Sequence, residues 1–138
     1  MVQIEYYVAE ITRFLPNPSV QHFRFSKPEE FDKPLKWIQI EELVIDICAV
    51  NDSRNIDYGN MILFANETRV FMRLLEQQDF VARDPALDGP TSDSVSFKDE
   101  KGSTFTLPLV ETISKAQALR ALQTWLFTFS KTSELIWQ

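Results

Sequence analysis

The sequence of 138 residues holds one cysteine, one histidine and three glycines, and each scarcity removes a class of chemistry. Cys48 can form neither an intrachain disulfide nor a multi-thiolate zinc site, and its place in the apolar run at residues 43–50 predicts a buried, inert thiol. His22 is the lone imidazole, and no serine stands between nucleophile-elbow glycines, so Ser-His or Cys-His nucleophilic catalysis is not expected. His22, Cys48 and the carboxylates match no metal-ligand spacing, and no cofactor is expected. Gly59, Gly89 and Gly102 stand too far apart to cradle a phosphate or a dinucleotide. Runs of about 18 apolar residues are also missing, which argues against a membrane span. Met1-Val2-Gln3-Ile4-Glu5 has neither the basic start nor the apolar stretch of a signal peptide, so a cytoplasmic location is expected if the chain is complete.

Charge is lopsided: 14 Lys and Arg against 20 Asp and Glu give a formal net charge of −6. A surface of this sign repels phosphate backbones, and nucleic acid is not an expected partner. Two uses of the charge stay open, solubility and electrostatic steering toward a basic protein.

The chain is rich in core-forming residues, with 44% apolar content, eleven Phe and three Trp. That amount suits one domain with one core at this length. Alternation of Ile4, Tyr6 and Val8 with polar neighbours predicts a strand over residues 2–12, and Leu15-Pro16-Asn17-Pro18-Ser19 predicts a turn. A short strand is expected at His22-Phe23-Arg24-Phe25. Ser26-Lys27-Pro28-Glu29 reads as a capped helix start, and Pro34 implies either a short helix ending near Asp32 followed by a second turn from Pro34 to Gln39 or one kinked helix. Residues 43–50 predict a central strand. Residues 59–65 and 69–75 predict a hairpin turned by Asn66-Glu67-Thr68, where Asn tolerates positive φ. A second hairpin is expected over residues 94–97 and 104–107, turned by Asp99-Glu100-Lys101-Gly102, after an exposed loop at 83–94. The helix from Lys115 to about Ser130 is capped by Ser114 and Gln117. Its apolar stripe is Ala118, Leu122, Trp125 and Phe129.

Few charged residues invite a chemical role. Adjacent pairs such as Glu29-Glu30 and Glu41-Glu42 point in different directions and read as solvated charge. Asp46 interrupts the apolar strand, so it must face outward or find a partner if it is not a catalytic group. Asp84, Asp88 and Asp93 in the loop, with Asp99 and Glu100 at the hairpin tip, are either solvated turns or a negative rim offered to a basic surface. Leu135-Ile136-Trp137 either folds back over the sheet or exposes Trp137 as an anchor.

The hairpin Met61-Ile62-Leu63-Phe64-Ala65-Asn66-Glu67-Thr68-Arg69-Val70-Phe71, the helix start Ser114-Lys115-Ala116-Gln117-Ala118-Leu119-Arg120-Ala121-Leu122 and the closing Glu134-Leu135-Ile136-Trp137 follow one another in a telling order. From about Met61 onward, a little over half of the chain, this layout resembles the immunity proteins of bacterial polymorphic toxin systems, in the α+β family that accompanies deaminase toxins. The resemblance implies a protein that sits over the active site of a cognate toxin and blocks substrate entry without catalysis of its own. The resulting expectation is a non-enzymatic α+β domain with a mainly antiparallel sheet, a C-terminal amphipathic helix and a shorter N-terminal helix. Its partner would be a basic toxin domain, met through Asp84, Asp88, Asp93, Asp99, Glu100 and Trp137. Two alternatives stay open: a regulatory or assembly subunit that forms a homo-oligomer, and a small-molecule-binding domain.

Overall fold

The computed structural model describes residues 4–54, 56–87 and 93–138. Its fold is α+β, a mostly antiparallel sheet with helices on one face. The strands of the main sheet are β1 (Tyr6–Arg13), β2 (Ser19–Phe25), β3 (Leu43–Asn51), β4 (Ile56–Ala65), β5 (Arg69–Leu75) and β6 (Asp79–Arg83), with the two-residue strands β9 (Ile113–Ser114) and β10 (Ile136–Trp137). Their order is β10-β6-β5-β4-β3-β1-β2, with β9 also paired to β5. β7 (Ser94–Lys98) and β8 (Thr104–Pro108) form a separate hairpin, and the helices are α1 (Asp32–Ile40) and α2 (Lys115–Thr128).

Strand alternation sorts the residues into two faces. Tyr7, Ala9 and Ile11 stand opposite Ala49, Ile47 and Ile45, and these continue into Met61, Leu63, Met72 and Leu74 to make one buried face. Against it pack Leu35 and Ile38 of α1 and Ala118, Ala121, Leu122, Trp125 and Leu126 of α2. The other face is covered at one end only. There Phe97, with Val95, Phe105 and Leu107, packs on Phe14, Val44, Phe64 and Phe71 as a second, smaller core.

Local chemistry explains where most elements begin and end. α2 starts as its sequence predicts: Ser114 Oγ accepts from the Gln117 amide at 3.1 Å and Gln117 Oε1 accepts from the Ser114 amide at 2.8 Å. The first helical cap lies one residue later than expected, because Glu30 rather than Glu29 turns back, its carboxylate accepting from the Ser26 and Lys27 amides. The expected short helix ending near Asp32 with a second helical segment after it is found, and there is no single kinked helix. A 3-10 turn at Pro28–Phe31 comes first, and α1 starts at Asp32, so Pro34 falls in the first turn, where no amide donor is needed. Asn66 turns the β4–β5 hairpin through its side chain, Oδ1 accepting from the Thr68 and Arg69 amides at 2.8 and 2.7 Å. Its φ is not positive, Phe129 being the one non-glycine of positive φ among the described residues. The stretch expected to be loop from 83 onward still belongs to β6 at Arg83. Leu135 is buried and β10 pairs with β6, so the C-terminus folds back on the sheet.

Candidate functional site

Three rows of side chains cross the sheet face turned away from the helices. The middle row runs His22, Glu10, Asp46, Ile62, Arg73 and Val81, each directly opposite the next on the neighbouring strand. Beside it lie Arg24, Val8, Cys48, Asn60, Leu75 and Asp79. The third row, Val20, Thr12, Val44, Phe64 and Phe71, is the one the hairpin covers in part.

The hairpin lies across the strands at one end of this face. The Ser96 carbonyl accepts from Asn66 Nδ2 at the β4–β5 turn at 2.9 Å, Lys98 Nζ lies 3.3 Å from Glu42 just before β3, and the tip residues Glu100, Lys101 and Gly102 border Pro18, Ser19 and Val20. A cleft of about 260 Å³ opens between the tip and the bare sheet. Val44, Ile62 and Phe64 give it an apolar floor, and Glu10, Asp46, Arg73 and Glu100 line it with charge.

The electrostatics of this cleft are uneven. Glu10 and Asp46 stand directly opposite each other on β1 and β3, and like charges in that relation destabilise a sheet. On the outer side, His22 Nε2 lies 3.2 Å from Glu10 Oε2. On the inner side, Arg73 is ion-paired to Asp79 and lines the same cleft as Asp46. Carboxylates therefore outnumber cations over an apolar floor, a combination suited to a long basic side chain, whose stem can lie on carbon and whose head can meet oxygen. Among the described residues no group of three or more His, Cys, Asp and Glu side chains is placed to hold a metal ion.

The residues expected to meet a partner fall into separate places. Asp99 and Glu100 share the hairpin tip, but Asp99 Oδ1 accepts from the Lys101 and Ser103 amides at 2.9 Å and so shapes the turn. Glu100 is exposed and reaches the cleft. Asp84 and Asp93 lie at the other end of the hairpin. Asp84 Oδ1 accepts from the Ala86 amide at 2.9 Å, and the Asp93 carbonyl accepts from the Leu109 amide at 3.0 Å. The five residues of β7 put roughly 17 Å between these two acidic ends, so they do not form one continuous rim. Asp88 lies outside the described residues. Trp137 is half-buried in β10, and its indole N–H donates to the Thr132 carbonyl at 3.0 Å, so it packs instead of standing free as an anchor.

Sequence reading singled out Asp46 and Glu100 from this cleft and missed Glu10 and Arg73. The missing signals were parity and register: Ile4, Tyr6 and Val8 read as the apolar set of β1, whereas the structure buries Tyr7, Ala9 and Ile11 and turns Glu10 outward, and only the pairing of the strands makes Glu10 a neighbour of Asp46. Cys48, expected to be buried, is half-buried on the open face because its parity is that of Asp46. No helix among the described residues is long and apolar enough to cross a membrane. No protein-family model and no curated protein matches the chain.

Proposed function

We propose that this chain is a non-catalytic protein-binding domain, an immunity protein that acts in the cytoplasm by blocking a deaminase-type toxin with the open half of its sheet. The observation that carries this reading is the pairing of Glu10 with Asp46 beside Glu100, above the apolar floor of Val44, Ile62 and Phe64. Carboxylates gathered over an apolar floor offer acceptors to the head of a long basic side chain whose stem lies on carbon. A toxin that acts on nucleic acid presents such side chains, and the net charge of −6 steers it in. The order of the β4–β5 hairpin, α2 and β10, on which the family resemblance rests, supports the same reading.

The decisive experiment is co-expression with the toxin domain encoded beside the chain. The expected outcome is a stable complex, loss of toxicity, and an association rate that falls about tenfold at low salt when Glu10 and Asp46 are changed to Lys. A toxin that stays active and unbound sinks the reading. The cleft itself favours a second reading, binding of a small amine, although its volume is at or below the low end of ligand pockets, about 300–1,000 Å³. A metabolite that raises the melting temperature of the wild type and not of Asp46→Asn favours this alternative.

A further inference from the structure

The two edges of the sheet are finished differently. At one edge β10 covers β6, and Gln138 exchanges both backbone hydrogen bonds with Val81. At the other, β2 pairs among the described residues with β1 alone, in a register unbroken from Arg13↔Ser19 to Tyr7↔Phe25, with no bulge and no proline within it. Exposed edges are ordinarily blunted by bulges, prolines or charges that stand over them. Here the charged side chains lean inward: Arg24 lies with its guanidinium 3.8 Å from the Tyr6 ring centroid, and His22 turns to Glu10. Along its seven residues, every second N–H and C=O points away from β1, toward where a further strand would lie.

We propose that the strand is β2 of a second copy, paired antiparallel about a two-fold axis normal to the sheet. Side-chain alternation demands that facing residues share parity, since a slip by one residue would turn apolar side chains to the wrong face. Of the registers this leaves, the one centred on His22 uses all of β2. It sets Ser19 against Phe25, Gln21 against Phe23 and Val20 against Arg24 of the second copy. A register centred on Gln21 would draw Pro18 into the ladder, where it cannot donate, and one centred on Phe23 would run Ser19 and Val20 past the strand end. The favoured register is also complementary in charge, because the row across the axis reads Glu10, His22, His22, Glu10, with imidazoles bracketed by carboxylates. It covers Val20, which is 52% exposed in the single chain, with the aliphatic stem of Arg24. Both helical layers then lie on one side and both open faces on the other, so the acidic surface doubles in width. The inference rests on the edge geometry and not on the toxin-blocking reading.

The experiment uses the full chain. Sedimentation equilibrium from micromolar to millimolar concentration is expected to show the mass rising from 16.1 kDa toward twice that value, at lower concentration as salt screens the like net charges. In a Cys48→Ser background, His22→Cys should cross-link under mild oxidation at least tenfold faster than Arg24→Cys, because only the former meets its own copy at the axis. A monomer at every concentration and salt overturns the proposal, and so does a dimer in which the two cysteine variants cross-link equally.

Discussion

The Tyr7 hydroxyl lies under α2 and donates to the Leu126 carbonyl at 2.8 Å, fastening the start of β1, next to the edge strand, to the last turn of the helix. Tyr7→Phe leaves that carbonyl without its side-chain donor and should cost about 1 kcal/mol in urea unfolding. Burial also pushes the Tyr7 phenol above its ordinary range. The unfolded chain therefore releases this proton at a lower pH than the folded one, so the contribution is complete below about pH 10 and is lost as pH rises through the folded value. Alkaline denaturation should accordingly begin later in Tyr7→Phe, relative to its own neutral-pH stability, than in the wild type. Little of this was legible beforehand: Tyr6 and Tyr7 are neighbours of one type, and only the parity of β1 sends Tyr7 to the core and Tyr6 to Asp52, whose carboxylate accepts its hydroxyl at 2.5 Å.

At the scale of elements, local signals were strong where the chemistry is local. The Ser114 cap and both hairpins could be read because each depends on residues within four of one another. Ser114→Ala should cost about 1 kcal/mol, measured by thermal unfolding. Gly102 has φ +83 at the hairpin tip with open space around it, so Gly102→Ala should cost about 1 kcal/mol from backbone conformation alone. Elements held by distant partners escaped. β6, β9 and β10 have too little pattern of their own, and β10 is a strand only because β6 offers it an edge. The β7–β8 hairpin tests how far an element depends on its docking: Phe97 is 1% exposed at the centre of the second core. Phe97→Ala should cost about 3–5 kcal/mol and speed amide exchange in β7 and β8 before it does so in β3 and β4.

At the scale of the molecule, the hairpin and the sheet together make the cleft, and its charge is a compromise with stability. Glu10→Gln removes a like-charge pair with Asp46 and loses only an exposed contact to His22, so unfolding should become harder by a few tenths of a kcal/mol, while association with a basic partner slows. A destabilised Glu10→Gln protein would show that the pair is not in conflict. Separating the acidic residues into two groups has a consequence too. Asp84→Lys at the far end of the hairpin should slow association less than Asp46→Lys, and equal effects at low salt would place the partner over the whole hairpin.

By itself the sequence determined the fold class, the two hairpins, the capped C-terminal helix and the sign of the surface, because propensity, capping and alternation act over a few residues. Asp46 stood out for the same reason, as the one charge within an apolar run. Tertiary structure alone decided that Asp46 faces Glu10, that the hairpin crosses the sheet to leave half of it bare, and that β2 rather than β10 is the open edge. Strand order and register are set by contacts between residues far apart in the chain, whose energies no local pattern records.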